Sequence, residues 1–220
     1  MSQFPSNIDL SGLDGTTGFR LSGAAAGDRS GVSVASAGDV NGDGFADLIV
    51  GAYAAHPNGT LTGASYVVFG KGGGFGSNID LSSLDGLNGF RITGAAAGDL
   101  SGISVASAGD VNGDGFADLV VGAYYANPHG NNSGASYVVF GQAAGFGSNI
   151  DLSSLNGTNG LRLSGAAASD LSGFSVASAG DVNGDGFDDL IVGAKYADPH
   201  GSNSGASYVV FGKAGGFGSN

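Results

Sequence analysis

Cysteine, tryptophan and glutamate are all missing from these 220 residues. Without cysteine no disulfide braces the fold and no thiol chemistry is available. Basic residues are scarce, 7 Lys and Arg against 19 acidic side chains, for a formal net charge of −12. No basic stripe meets phosphates, which argues against a nucleic-acid partner. No apolar stretch approaches the ~20 residues of a membrane span, so no membrane insertion is expected. A signal-peptide pattern is also absent, and the chain is expected to be a segment of a longer secreted, extracellular or cell-surface protein. The catalytic inventory is thin. Only His56, His129 and His200 carry an imidazole, and neither G-x-S-x-G, a Walker loop nor H-E-x-x-H occurs. His129 and His200 share one repeat position, which Asn58 fills in the first repeat, so they read as polar turn residues. The expectation is a protein that is not an enzyme.

Glycine is abundant, 45 residues, but without a G-X-Y period, so a collagen helix is excluded. The 41% of apolar residues fall in regularly spaced runs, which argues against disorder. Because there is no glutamate, every acidic residue is aspartate, whose short reach suits turns and loop ligands better than helix surfaces.

Those aspartates recur at an interval of 71 residues, in DVNGDGFADLIVGA from Asp39, DVNGDGFADLVVGA from Asp110 and DVNGDGFDDLIVGA from Asp181. Oxygen-bearing side chains fall at loop positions 1, 3, 5 and 9. These are Asp39, Asn41, Asp43 and Asp47, then Asp110, Asn112, Asp114 and Asp118, then Asp181, Asn183, Asp185 and Asp189. Alternate residues of a tight loop can converge on one centre, and a hard cation such as Ca²⁺ takes six to eight oxygens. The backbone carbonyl at position 7, on Phe45, Phe116 and Phe187, is the natural further ligand. One Ca²⁺ per repeat, three per chain, is expected. A bare Asn/Asp/Gly turn would explain the glycines but not three carboxylates within nine residues. An EF-hand or dockerin-type loop would need an acidic twelfth position and a following helix, whereas position 12 is Val50 and the flanks read as strands.

The repeat extends beyond the loop. Phe19-Arg20-Leu21-Ser22-Gly23 returns as Phe90-Arg91-Ile92-Thr93-Gly94 and as Leu161-Arg162-Leu163-Ser164-Gly165. Gly63-Ala64-Ser65-Tyr66-Val67-Val68-Phe69-Gly70 returns from Gly134 and Gly205. Four strands are expected per unit, at 19–22, 32–37, 47–51 and 65–69 in the first, with a short helical turn within 79–84 and its equivalents. Phe4-Pro5-Ser6-Asn7 aligns with 75–78, 146–149 and 217–220, so residues 1–220 form one segment of three units, 8–78, 79–149 and 150–220. The class is all-β, with four short antiparallel strands per unit in the manner of propeller blades.

The order strand, G-D-x-S-G, strand, D-x-N-G-D-G-x-x-D-L, I/V-V-G-A and G-A-S-Y-V-V-F-G resembles FG-GAP repeats, as in the β-propeller of integrin α subunits. It is similar also to bacterial versions in large secreted calcium-binding proteins. Two places depart from the family pattern. Ser30-Gly31-Val32 and its equivalents stand where the family has Phe-Gly, and Gly51-Ala52-Tyr53, Gly122-Ala123-Tyr124 and Gly193-Ala194-Lys195 stand for Gly-Ala-Pro. The resemblance implies calcium loops on one face and segments 52–62, 123–133 and 194–204 on the other. Those segments carry Tyr53, Tyr124, Tyr125 and Tyr196, suited to a protein or glycan ligand. Two functions are then expected as alternatives: an adhesive or interaction scaffold rigidified by calcium, or a carbohydrate-binding (lectin-like) or polysaccharide-lyase-associated propeller.

Three units leave two open edges. Strand 19–22 belongs to a blade whose other strands lie elsewhere, and 207–211 lacks an outer neighbour. Propellers use four to eight blades. A homodimer that exchanges its outer strands into a six-bladed ring is therefore expected.

Overall fold

The computed structural model describes residues 6–215, so Phe4, Pro5 and 217–220 of the aligned turn lie outside the described residues. In chain order the strands are β1 (Arg20–Ser22), β2 (Ser33–Gly38), β3 (Asp47–Ala52), β4 (Ala64–Val68), β5 (Asn78–Asp80), β6 (Gly89–Thr93) and β7 (Ser104–Gly109). They continue as β8 (Asp118–Ala123), β9 (Ala135–Val139), β10 (Asn149–Asp151), β11 (Gly160–Ser164), β12 (Ser172–Gly180), β13 (Asp189–Ala194) and β14 (Ala206–Val210). The protein is all-β, and its three larger sheets follow the three repeats.

Each sheet grows outward from an inner strand of small residues. Ser33–Gly38 (SVASAG) pairs antiparallel with DLIVGA of β3, which pairs with ASYVV of β4, which pairs with β6 from the following repeat. The second sheet repeats this order as β7-β8-β9-β11. The third stops at three strands, β12-β13-β14, among the described residues. Alanine and serine on β2, β7 and β12 let these inner strands sit side by side. Each inner strand closes with a register shift at a glycine, such as that between Ser36 and Gly38.

Strands stand at all four places expected in each unit, displaced by one residue at most except at β12, which begins two residues early, and β1 pairs only in parallel, with β5, among the described residues. A further strand was not legible. β10 adds parallel to β6 in the register Asn149↔Arg91, Ile150↔Ile92 and Asp151↔Thr93, and β5 adds to β1 in the same way. Three-residue strands leave too short a period to distinguish from a loop. The expected helical turn follows at once, as 3₁₀ turns over Leu81–Ser83 and Leu152–Ser154, each capped by the preceding Asp carboxylate.

β4 and β9 are buried along their whole length because neighbouring layers cover both faces. Ile49 and Val67 face Val105, Leu119 and Val121 of the second sheet, while Val50, Tyr66 and Val68 pack on the other side with Leu81 and Leu21. Val120 and Val138 meet Val176, Leu190 and Val192 of the third sheet. The core thus lies between consecutive sheets. Phe146, in the connection after β9, stacks on Phe90 of β6 at 4.3 Å, and Phe75 stacks likewise on Phe19.

Candidate metal centre

The acidic loop joins the inner strand to the next one, so all three copies stand at the same end of their sheets. Each loop winds about its first aspartate. Asp39 accepts from the N–H groups of Gly42 at 2.7 Å, Asp43 at 3.1 Å and Gly44 at 2.8 Å. Asp110 and Asp181 accept the three equivalent bonds. These donors hold the Asp181 carboxyl below the usual carboxylate range, the Gly186 N–H foremost. The winding needs positive φ at positions 4 and 6, met by Gly42 at 75° and Gly44 at 86°.

Positions 3 and 5 hold each other. Asn41 Oδ1 accepts from Asp43 N–H at 3.0 Å, and its Nδ2 donates to Asp43 Oδ2 at 3.0 Å. Asp43 Oδ1 takes the Phe45 N–H at 2.9 Å. Asn112 with Asp114, and Asn183 with Asp185, repeat this pair.

Position 9 is different in kind. Asp47, Asp118 and Asp189 are fully buried. Asp47 Oδ2 accepts from Val40 N–H at 2.9 Å and Oδ1 from Gly70 N–H at 2.8 Å, tying the loop to the end of β4. Asp118 clamps Val111 and Gly141, and Asp189 clamps Val182 and Gly212. Burial pushes Asp47 up to about 6 and Asp118 up to about 7, partly offset by those N–H bonds and reinforced by the nearby loop carboxylates.

An oxygen-only set of three carboxylates, one amide and one carbonyl in nine residues fits a hard cation such as Ca²⁺ and not a soft one. A carboxylate has about four lone-pair sites, so Asp43 and Asp47, with two bonds each, keep acceptor capacity. The side chains do not, however, converge into a ligand cage. Among the described residues no three acidic or imidazole groups gather closely enough to hold a metal. Asp39, Asn41 and Asp43 come together at the loop rim, while Asp47 lies inward as a clamp.

The loops also bind one another across the sheet boundaries. Ala117 N–H donates to the Asp39 carbonyl at 3.0 Å and Gln142 N–H to the Val40 carbonyl at 2.9 Å. Asp188 and Lys213 N–H groups reach the Asp110 and Val111 carbonyls in the same way. The phenyl rings of two position-7 residues rest on the preceding loop, Phe116 on Gly42 and Phe187 on Gly113. The sequence assigned these phenylalanines only a backbone role. Nothing local marks a ring that packs one repeat away.

A second set of residues was placed only in part by the sequence. Asp28, Asp99 and Asp170 read as turn residues, and Asp170 does accept from Ala167 N–H at 3.1 Å. All three are also buried. Asp99 lies close to Tyr137 and Arg162, and burial raises its carboxyl above the usual range. Asp28, Tyr66 and Arg91 form the same cluster one repeat earlier. Each triad lines a groove on the outer flank of its sheet, of about 1080 Å³ around Asp99 and about 650 Å³ around Asp28.

The tyrosine segments lie at the opposite end of the six-residue strands, roughly 20 Å from the acidic loops. Tyr124 contacts Tyr125 at 4.2 Å and meets Phe174 edge-on at 5.7 Å. Lys195 Nζ stands 3.9 Å from the Phe174 ring centre and 4.6 Å from that of Tyr196. Tyr53 takes a hydrogen bond from Arg29. His129 Nδ1 lies 2.8 Å from the Gly165 carbonyl, and the backbone N–H groups of His129 and His200 each donate to a serine, which are turn contacts.

Residues 30–68, 101–139 and 172–210 match the family model described as FG-GAP repeat, each match running from the turn before the inner strand to the end of the third strand. Integrin alpha-7 of Mus musculus is 34% identical over 167 residues, covering 71% of this chain and 11% of that protein. Integrin alpha-7 of Homo sapiens is 32% identical over 195 residues, covering 88% of this chain and 14% of that protein. Phosphatidylinositol-glycan-specific phospholipase D of Bos taurus is 31% identical over 182 residues, 80% of this chain and 20% of that protein. The chain therefore spans a fifth or less of the length of these relatives. No helix among the described residues is long and apolar enough to cross a membrane, which leaves β-barrel spans unaddressed.

Proposed function

The chain belongs to the FG-GAP repeat family, and on that premise we propose that it is a non-enzymatic interaction or adhesion scaffold, extracellular or at the cell surface, whose propeller-type sheets are locked together by Ca²⁺ in the three acidic loops. One observation carries the reading: the oxygen-rich loops sit on the seams between consecutive sheets, joined by the Ala117–Asp39 and Asp188–Asp110 backbone bonds. A cation that stiffens a loop there stiffens the junction between two sheets as well.

Asp39, Asn41, Asp43, the Phe45 carbonyl and Asp47 would hold the first ion, with the sets from Asp110 and Asp181 holding the others. A bound Ca²⁺ supplies compensating charge and geometric restraint, not chemistry on a substrate. The protein's residues supply the rest. Asp39 gathers the loop's N–H groups, and Asp47 holds the loop against β4. Calorimetric titration of the chelated protein with Ca²⁺ tests the assignment. Saturable heat at three sites supports it, and the absence of heat refutes it.

The tyrosine end supports a second reading, carbohydrate binding, because Tyr125 and Tyr196 keep exposed rings, the second of them beside Lys195. Flat aromatic faces with polar neighbours suit stacking on a sugar as well as on a protein loop. A glycan array probed with calcium-loaded protein separates the two: a defined glycan hit favours the lectin-like reading, and a blank array favours the protein scaffold.

A further inference from the structure

The three acidic loops are identical from position 1 to position 9 except at the eighth, which is Ala46, Ala117 and Asp188. That position faces the preceding repeat. A Cβ on Gly38, just before the first loop, would overlap the Ala117 side chain, and one on Gly109, just before the second, would overlap the Asp188 carboxylate. The eighth residue of one loop thus packs on the entry to the loop before it, as alanine at the first seam and as aspartate at the second. The first and second loops each have a following sheet among the described residues, so their surroundings compare on equal terms.

The second seam has one side-chain hydrogen bond that alanine cannot make at the first. At both, the eighth residue's N–H donates to the first carbonyl of the preceding loop, Ala117 to Asp39 at 3.0 Å and Asp188 to Asp110 at 3.3 Å. Asp188 Oδ2 also accepts from Asp110 N–H at 2.9 Å, so these two residues hold each other by both groups. Charge does not separate the seams in the same way. Lys213 bonds the Val111 carbonyl where Gln142 bonds that of Val40, so the second seam gains an ammonium along with its carboxylate. What it gains is restraint at Asp110, the residue about which the loop winds. Gly215 N–H adds a bond to the Asn112 carbonyl, and Asn112 is buried where Asn41 is half-buried.

We infer that Asp188 is a positioning residue acting across the repeat boundary: by fixing Asp110 it readies the second acidic loop for its cation, so that the second loop fills with Ca²⁺ before the first. The inference rests on the calcium reading above. Ordering a loop costs conformational entropy, and a loop already held in shape loses less of its binding free energy to that cost. Asp188 acts through Asp110 and not as a ligand, since the second loop offers the same five oxygen donors as the first. Its bond is worth about one ordinary hydrogen bond, a factor of about five in affinity. At calcium concentrations between the two affinities, the junction of the second and third sheets is locked while that of the first and second is not.

Nuclear magnetic resonance of the full chain across a calcium-buffered series resolves the two loops through the amide signals of Gly44 and Gly115. Gly115 should reach its midpoint at about a fifth of the calcium concentration that Gly44 needs. Asp188→Ala should narrow that gap, Asp188→Asn, which keeps an acceptor oxygen, should retain most of it, and Ala117→Asp should raise the affinity of the first loop. Equal midpoints in the parent, or a gap that Asp188→Ala leaves untouched, overturns the inference while three saturable sites keep the calcium reading intact. No response at either glycine overturns both. An Asp188→Asn protein that behaves like Asp188→Ala overturns the positioning role, because charge and not the bond would then be what matters. A second readout needs no metal: in chelator, Asp110 N–H should exchange with solvent more slowly than Asp39 N–H, and Asp188→Ala should speed it by about fivefold. Equal exchange at the two aspartates overturns the restraint on which the inference stands.

Discussion

Phe116, in the second acidic loop, lies against Gly42 of the first, so closely that any side chain at Gly42 would overlap its ring. The contact joins two loops 71 residues apart in sequence register, and Phe187 on Gly113 repeats it. A residue expected to matter for its carbonyl thus also couples neighbouring sheets through its side chain.

Removing that ring should loosen the junction. Phe116→Ala is expected to cost about 2 kcal/mol, roughly half of a full core truncation because the ring is only half-buried. Phe187→Ala should behave alike. Phe45 is 44% exposed and meets no other acidic loop among the described residues. Phe45→Ala in chains dilute enough to remain separate should therefore stay within about 0.5 kcal/mol of the parent. Denaturant unfolding of the three variants checks the order, and equal losses at all three positions would contradict it.

The clamping aspartates set a pH response. An aspartate whose carboxyl is pushed up in the folded state binds its proton more tightly folded than unfolded. Asp47, near 6, and Asp118, near 7, therefore contribute stability that is complete below about pH 4 and is lost as pH rises through those values. Asp9, Asp14, Asp80 and Asp181 are shifted down and act in the opposite sense, but below the ordinary carboxylate range. In chelator, the melting temperature should fall between pH 4.5 and 7.5. A rise across that window would mean the buried carboxylates are better compensated than their surroundings indicate.

Much of this architecture was legible because the repeat shows the same local rule three times. Runs rich in β-branched residues and bounded by glycine marked strands at 47–51 and 65–69, observed as Asp47–Ala52 and Ala64–Val68, and the DxNGDG spacing marked the loop. The parts that were not legible share one cause, contact at long range. Asn78–Asp80 is a strand only because it lies beside Arg20–Ser22. Asp47 looked like one more rim ligand until Gly70, 23 residues on, proved to donate to it. Likewise Asp99 looked like a turn residue until Tyr137 and Arg162 closed over it.

Close approach of the inner strands makes another test. In Gly122→Ala the new Cβ would overlap the Gly173 carbonyl, a backbone atom that cannot swing aside. Overpacking of this kind costs about 1–3 kcal/mol. Gly193→Ala meets only Ser175, at 3.5 Å, and should leave the unfolding of separate chains unchanged. Thermal melts at low concentration compare the two, and a Gly122→Ala protein as stable as the parent would show that the strands can move apart freely.

The metal assignment is tested best at the fifth loop position. Asp47→Ala would be ambiguous, since it strips partners from the Val40 and Gly70 N–H groups whether or not an ion binds. Asp43 is exposed, and its bonds are to Phe45 N–H and the Asn41 amide within the same loop. Asp43→Ala should therefore cost little in chelator, within about 1 kcal/mol. In calcium it should cost the linkage term of one site, about 3 kcal/mol at a hundredfold excess over the dissociation constant. Elemental analysis of the dialysed parent should give three Ca²⁺ per chain, and of Asp43→Ala two. Mg²⁺ should substitute poorly, because it demands a small octahedral shell and sheds water reluctantly. A parent with well under one calcium per loop, or a melting temperature indifferent to chelator, would leave the acidic loops as hydrogen-bonded turns that join the sheets unaided.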